Sequence, residues 1–121
     1  MNCLAKFLAA RLRSFSFALH GLAYAIKHEG NARVHLLATL LVVALGFGFG
    51  VSRMEWAALA AAIGMVWAAE LLNTALEILC DYVEPEKAEP IKRAKDSAAA
   101  AVLIAAFIAA TIGALVFWPY L

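Results

Sequence analysis

Long runs without a charged side chain constrain the fold of this chain more than any other feature. No Asp, Glu, Lys or Arg lies between Arg33 and Arg53, and none lies in residues 97–121. A helix of about 20 such residues is long enough to cross about 30 Å of hydrocarbon. The chain is 65% hydrophobic and only 16% charged, which is outside the usual range of soluble domains. We therefore expect one all-α integral membrane domain over residues 1–121.

The positions of these runs predict three membrane spans. The first covers about residues 34–51, and the third covers about residues 97–118, where Trp118 suits the headgroup boundary. The apolar run that starts at Trp56 meets Glu70 before it is long enough to cross the hydrocarbon. The second span is therefore expected to cover about residues 56–80, with acidic side chains within or near the membrane.

The distribution of basic residues predicts the orientation. Residues 1–35 contain five of the ten Lys and Arg residues and the second connection contains four, whereas the first connection contains only Arg53. Short cytoplasmic loops are enriched in Lys and Arg, so both basic regions are expected on the cytoplasmic side. They contain Lys6, Arg11, Arg13, Lys27, Arg33, Lys87, Lys92, Arg93 and Lys95. The net charge of +1 gives no support for nucleic-acid binding.

Residues 4–28 are predicted to form an amphipathic helix on the membrane surface. Large apolar residues recur at steps of three or four, and basic residues lie between them. The apolar set is Phe7, Leu8, Leu12, Phe15, Leu19, Leu22 and Ile26. Gly30 and Asn31 are expected to mark the break before the first span.

Other local signals predict turns and helix contacts. The stretch EPEKAEP, residues 84–90, should end one helix and form a solvated turn. Gly46 and Gly50 have a small-xxx-small spacing, which favours helix packing or a helix end. Cys3 and Cys80 are expected to be reduced thiols rather than a disulfide framework.

The most informative motif is ELLNTALEILCD, residues 70–81. Its polar side chains occupy a sector of about 100° on one helix, and they are Glu70, Asn73, Thr74, Glu77 and Asp81. An acid at mid-bilayer costs about 2.5–3.5 kcal/mol on insertion scales, whereas a Leu or Ile returns about 0.3–0.6 kcal/mol. A functional stripe is therefore expected, although Glu77 and Asp81 also fit a helix that has already left the membrane.

A second polar group flanks the first and third spans, and it contains Glu29, Asn31, Arg33, His35, Arg93, Lys95 and Asp96. Carboxylates with a lysine at one interface suit a magnesium-bound polyphosphate, but the chain has no P-loop or Gly-rich kinase loop. Intramembrane acids also suit proton or cation transport. For His35, two interpretations stay open: a packing hydrogen bond and a role in the site.

The segments AELLNTALEILCDYV and RAKDSAAAAVLIAA resemble the prokaryotic diacylglycerol kinase family, and SFSFALHGLAYAIKHEGNARVH extends the match upstream. The resemblance covers roughly Ser14 to Phe117. It implies a homotrimeric helical bundle in the bacterial inner membrane, with its active sites at the cytoplasmic face and shared between subunits. The implied reaction uses MgATP to phosphorylate a membrane lipid alcohol.

The same resemblance implies roles for individual residues. Glu70 would be the catalytic base, with Asn73 beside it, and Glu29 and Glu77 would hold Mg²⁺. Lys95 would contact the ATP phosphates, while Asp81 and Asp96 would lie toward the sugar and base. The nucleotide-binding set implied in this way is Glu29, Glu77, Asp81, Lys95, Asp96 and Phe17.

Only a few residues bear on the choice of lipid substrate. The segments EGNARVH and KRAKD look closer to the Gram-positive undecaprenol kinase branch, so undecaprenol is slightly favoured over diacylglycerol.

From the residues alone, the alternatives are a small homo-oligomeric proton or cation transporter that uses Glu70 and Glu77, and a structural membrane subunit. The cytoplasmic cluster around Lys95 favours the kinase, because a transporter has no evident need for it.

Overall fold

The computed structural model describes residues 2–86 and 88–121, and within these ranges the chain is helical apart from short connections. The elements in chain order are α1 (Cys3–His28), α2 (Gly30–Phe49), α3 (Arg53–Val83), α4 (Glu89–Phe117) and a short 3₁₀ helix, η1 (Trp118–Tyr120). Lys87, one of the basic residues expected in the second connection, lies outside the described residues.

Helix α1 is separated from α2 by one residue. The side chain of Asn2 caps the start of α1 by accepting a hydrogen bond from Ala5 N at 2.8 Å, which satisfies a free N–H group of the first turn. The chain leaves helical geometry at Glu29, where φ is −110° and ψ is 117°. The break therefore precedes Gly30 and Asn31, where it was predicted, because Gly30 is already the first residue of α2.

Arg33 holds the junction between α1 and α2 in a defined shape. Its Nε donates to the carbonyl of Ile26 at 3.0 Å, and its Nη2 donates to the carbonyl of Lys27 at 2.8 Å. These carbonyls belong to the last turn of α1 and have no partner within the helix. Arg33 thus caps α1, and its guanidinium is engaged in the fold.

The turn between α2 and α3 is specified by its sequence. Gly50 ends α2 with φ of +64°, a left-handed conformation that glycine adopts without a steric penalty. Ser52 Oγ then accepts from Glu55 N, and Glu55 Oε1 accepts from Ser52 N, which is a capping box at the start of α3. Tyr120 Oη also donates to Glu55 Oε1 at 2.6 Å and so fastens the end of the chain to this turn.

We call this end of the bundle the aromatic end, defined by Phe49, Trp56 and Phe117. Buried Val51, Leu59, Val116 and Phe117 form the apolar core there. The ring of Phe49 lies 6.0 Å from that of Phe117 and stacks on that of Tyr120 at 5.6 Å. The opposite end, where α3 ends at Val83 and α4 begins at Glu89, is called the acidic end.

Helices α3 and α4 are longer than the predicted spans: α3 extends three residues beyond each predicted end, and α4 begins eight residues earlier, at the acidic end. Helix α3 has 31 residues and α4 has 29, which at 1.5 Å per residue makes them about 46 and 44 Å long. The hydrocarbon needs only about 30 Å. The predicted turn covers residues 84–90, but Glu89 and Pro90 already belong to α4, and the charged residues up to Asp96 continue that helix. The reason is that hydropathy reports membrane thickness rather than helix length.

Helices α2, α3 and the segment Glu89–Tyr120 are each long and apolar enough to cross a membrane. The accessible surface of the protein is 8756 Å², compared with about 6,300 Å² for a compact soluble monomer of the same mass. Much of that surface is apolar, with Leu40, Phe47, Leu72, Leu103 and Phe107 all exposed. A single copy of the chain therefore leaves a large apolar area for lipid or further protein to cover.

Gly46 shows how closely α2 and α3 approach each other at the aromatic end. A Cβ atom at this position would lie 2.5–3.0 Å from three atoms of the Trp56 indole ring. The ring also contacts Phe47, with centroids 4.9 Å apart. This confirms the packing interpretation of Gly46, while Gly50 supplies the helix end.

We expect Gly46→Ala to destabilise the protein by about 1–3 kcal/mol, because the Trp56 ring must be displaced. Gly48→Ala is the matched control on the same helix, since its Cβ would meet no described atom within 4 Å, and it should be neutral or slightly stabilising. Thermal unfolding of the purified variants in detergent measures the difference. Equal stability of the two variants would show that the ring moves aside freely.

Candidate functional site

The polar stripe of α3 changes from buried to exposed along its length. Glu70 is 1% exposed, Thr74 is 4% exposed and Asn73 is 7% exposed, whereas Asp81 is exposed. The rise from Glu70 to Asp81 is about 16 Å. The stripe therefore connects the inside of the helix bundle to its acidic end, and each of its carboxylates has a partner of a different kind.

Glu70 contacts the neighbouring helix α2. Its Oε2 lies 3.2 Å from Nε2 of His35, and the His35 side chain is 15% exposed. His35 lies near the start of α2 and Glu70 lies in the middle of α3, so the pair joins the two helices. A buried carboxylate requires such a donor, because an unpaired charge in an apolar interior is costly. The structure thus shows that His35 makes a hydrogen bond between helices, and that its partner is Glu70, the first residue of the stripe.

A second polar contact joins α2 and α3 one turn away. Trp67 Nε1 donates to Thr39 Oγ1 at 2.9 Å, and Thr39 Oγ1 donates to the carbonyl of His35 at 2.7 Å. The His35 and Trp67 rings also meet edge to face, with centroids 6.4 Å apart. We call these two contacts, His35–Glu70 and Thr39–Trp67, the α2–α3 polar seam.

Asn73 and Glu77 form the middle of the stripe. Asn73 Nδ2 donates to Glu77 Oε1 at 3.3 Å. In the described part of the chain, the buried atoms Asn73 Oδ1 and Thr74 Oγ1 have no hydrogen-bond partner. Buried polar atoms are usually satisfied, so these two mark a place where the bundle is open to a further polar group.

Asp81 and Lys95 meet at the acidic end. Lys95 Nζ donates to Asp81 Oδ1 and joins α4 to α3. Both side chains are more than a third exposed, so the ion pair contributes little to stability. A bound anion can therefore take Lys95 from Asp81 at small cost.

Other predicted site residues lie around this centre. Asp96 pairs with Lys92 of its own helix at 2.6 Å, and Glu29 is the non-helical residue between α1 and α2. Phe17 lies on α1 and is 69% exposed. The nucleotide roles of Asp96, Glu29 and Phe17 stay predictions. The pairing of Asp81 with Lys95 is part of the fold.

A divalent cation such as Mg²⁺ needs hard oxygen donors close together. Within residues 2–86 and 88–121, no group of three or more His, Cys, Asp or Glu is arranged to hold a metal ion. Mg²⁺ seldom uses a cage made only of protein, because it keeps water and shares substrate phosphate oxygens. The Glu77 carboxylate and the unpartnered Asn73 Oδ1 are hard oxygen donors on neighbouring turns, and this set suits Mg²⁺.

Two cavities adjoin these residues. An apolar cavity of about 290 Å³ lies between α2, α3 and α4, and His35 and Thr39 line it together with Ala62, Val66 and Ala106. A second cavity of about 290 Å³ lies at the acidic end, against Lys95, Asp96 and the 84–86 segment. One cavity is apolar and reaches the seam next to Glu70, and the other contains charged groups.

Sequence reasoning missed two features of this region. The Thr39–Trp67 contact was not anticipated, although His35 and Thr39 are polar residues four apart in an apolar run and so share one helix face. The Arg33 cap was also missed, because its partners are backbone carbonyls that no side-chain pattern reveals. Both cysteines are free, with Cys80 buried and Cys3 exposed, as expected.

Comparison with known proteins supports the resemblance. The undecaprenol kinase of Bacillus subtilis is 37% identical over 90% of this chain and 89% of that protein. The diacylglycerol kinase of Synechocystis is also 37% identical, over 89% of this chain but only 62% of that protein. The diacylglycerol kinase of Haemophilus influenzae is 32% identical over 88% of this chain and 92% of that protein.

The family model described as prokaryotic diacylglycerol kinase matches residues 16–117. This range includes the whole polar stripe, the partner His35 and the Lys95 region. It also agrees closely with the range over which the sequence resembles that family. The chain therefore belongs to the prokaryotic diacylglycerol kinase family of membrane lipid kinases.

Proposed function

We propose that this protein transfers the γ-phosphate of ATP to the hydroxyl group of a membrane lipid alcohol. The observation that carries the proposal is the gradient along α3, from Glu70 at 1% exposure to the exposed Asp81–Lys95 pair. A lipid hydroxyl at the membrane boundary and a nucleotide from water would meet along this one helix face. The apolar cavity beside His35 suits the hydrocarbon part of such a substrate.

Glu70 is proposed as the general base. The lipid oxygen forms a bond to the γ-phosphorus while the bond from that phosphorus to the β,γ-bridging oxygen breaks, and ADP leaves with the electron pair. The proton of the lipid hydroxyl passes to the Glu70 carboxylate. Asn73, one turn further along the same face, would bind and orient the reacting groups through its unpartnered Oδ1 or its amide N–H.

Glu77 and Glu29 are proposed to hold Mg²⁺ with the phosphates. When bound, this ion would neutralise phosphate charge and orient the transferred group. Lys95 would contact phosphate oxygens after leaving Asp81, while Asp81, Asp96 and Phe17 would contact the remainder of the nucleotide. The charged cavity at the acidic end supports this arrangement.

We favour undecaprenol over diacylglycerol as the substrate. Overall identity does not separate them, because a relative of each name is 37% identical to this chain. The preference depends on the local segments EGNARVH and KRAKD. The named relatives are all kinases, so the transporter interpretation of the acidic stripe gains no support from them.

We further propose that residues 1–121 form one kinase domain that works as a homotrimer in the bacterial inner membrane. Its acidic end would face the cytoplasm, because the basic residues cluster there, and α1 would lie on that surface. The exposed apolar area of α2, α3 and α4 supports assembly. Several copies could enclose the polar stripe better than one, and an active site could then use residues from two subunits.

Glu70→Gln should reduce kcat by a factor of at least about 10²–10⁴ without unfolding the protein, because the amide cannot accept the proton. Transfer of labelled phosphate from MgATP to lipid in mixed micelles measures the effect. Glu89→Gln, which changes an exposed carboxylate paired with Arg93 of its own helix, is the control and should retain activity. Turnover by Glu70→Gln near that of the unmodified protein would remove Glu70 from this role.

Lys95→Gln should raise KM for ATP by roughly ten- to hundred-fold, because a charge-assisted contact to phosphate is lost. Arg93→Gln removes a positive charge from the same helix, where Arg93 pairs with Glu89 at 3.2 Å, and should leave KM for ATP nearly unchanged. Initial rates at varied ATP concentrations distinguish the two variants. Equal effects would reduce the role of Lys95 to general electrostatic attraction.

The substrate preference is testable with purified protein and both lipid alcohols at matched mole fractions in micelles. We expect a higher kcat/KM for undecaprenol than for diacylglycerol, and no labelling when magnesium is removed. A higher kcat/KM for diacylglycerol would reverse the assignment of substrate. Absence of label in both lipids would contradict the proposed reaction.

A further inference from the structure

The contact between His35 and Glu70 does more than satisfy a buried group. We propose that His35 is a positioning residue for Glu70. His35 donates its Nε2–H to Oε2 of the Glu70 carboxylate and thereby directs the other carboxylate oxygen toward the lipid hydroxyl. This inference depends on the proposed role of Glu70 as the base. It assigns a function to the one side chain of α2 that contacts the reacting carboxylate.

The geometry of Glu70 explains why it needs a positioning residue. A glutamate side chain has three rotatable bonds, and a displacement of about 1 Å in a reacting group can reduce the rate about 10²-fold. The Glu70 carboxylate is 1% exposed and lies 3.2 Å from His35 Nε2. Because Glu70 is buried, little water can donate hydrogen bonds to its carboxylate. The donor from α2 therefore determines which rotamer of the Glu70 side chain is occupied.

His35 is itself held in place. The Thr39 hydroxyl donates to the His35 carbonyl, and the Trp67 indole donates to the same hydroxyl. The Trp67 and His35 rings meet edge to face, so the imidazole packs against α3 while its Nε2 contacts Glu70. The donor is therefore preorganised, which is the condition under which a hydrogen bond fixes a catalytic group.

The surroundings provide few substitutes for this donor. The α4 residues that line the cavity beside His35 are alanines, Gly113 and Phe117, and none has a side-chain N–H or O–H group. Arg33, which lies two residues away on α2, donates to the end of α1. Asn73 donates to Glu77 rather than to Glu70. Loss of His35 would thus leave Oε2 without its donor.

Three substitutions at position 35 separate positioning from packing. His35→Gln places an amide N–H at nearly the reach of Nε2, His35→Asn places one nearer the backbone, and His35→Ala has none. Gly46→Ala is the matched control, because it disturbs the packing of α2 against Trp56 of α3 at the aromatic end and leaves the contact between His35 and Glu70 in place. All four proteins are compared in the same lipid kinase assay, with thermal unfolding measured in parallel.

We expect His35→Ala and His35→Asn to lose kcat by about 10²-fold, with KM for ATP and for lipid changed less than about threefold. His35→Gln should recover at least a tenth of the original kcat. Gly46→Ala should retain kcat even where its unfolding temperature falls as far as that of His35→Ala. This pattern separates the hydrogen bond to Glu70 from the general stability of the packing between α2 and α3.

Several results would overturn the inference. Normal kcat in His35→Ala, an equal loss in His35→Gln and His35→Ala, or the same loss in Gly46→Ala would each contradict a positioning role. If Glu70→Gln is inactive while His35→Ala is normal, only this inference fails. If Glu70→Gln is active, the proposed base itself is wrong, so the two failures are distinguishable.

Discussion

A buried carboxylate on an apolar helix is the constraint on which the rest of this structure depends. An ionised Glu70 cannot be left alone in a medium of low polarity, so α2 must bring a donor to the middle of α3. His35 does this from the first turns of α2, and that pairing fixes the register of the two helices. One electrostatic requirement thus joins the start of α2 to the middle of α3.

The polar stripe of α3 extends from the buried interior of the bundle to its exposed end. Residues on the same face pass from burial at Glu70 to exposure at Asp81, and their partners change accordingly. Glu70 has a histidine of α2, Glu77 has the amide of Asn73 one turn earlier, and Asp81 has the ammonium group of Lys95. The first pair is suited to hold a reacting group still. The last pair is exposed and therefore weak, as the proposed contact of Lys95 with phosphate requires.

The broad architecture could be predicted from the sequence because the length of each apolar run and the helical spacing of the polar residues can be read from it directly. The three apolar runs coincide with α2, α3 and α4, and the spacing of the stripe places Glu70, Asn73 and Thr74 together on a buried face. Helix ends were less predictable. The chain breaks at Glu29 rather than at Gly30 and Asn31, and α4 begins at Glu89, eight residues before the expected span. Contacts between helices were least predictable, since the pairing of His35 with Glu70 requires the relative rotation of α2 and α3. The reaction itself came from resemblance and comparison rather than from spacing.

Helix α3 is continuous from Arg53 to Val83 and is long enough to cross a bilayer without a break. It is about 46 Å long, so the height difference between Glu70 and Asp81 is set by helical rise and cannot adjust through a loop. A thicker bilayer would draw the Asp81–Lys95 pair toward hydrocarbon, and a thinner one would bring Glu70 closer to the headgroups. The local thickness of the membrane would then tune how well a lipid hydroxyl and a nucleotide meet. The enzyme would sense the bilayer through the length of a single helix.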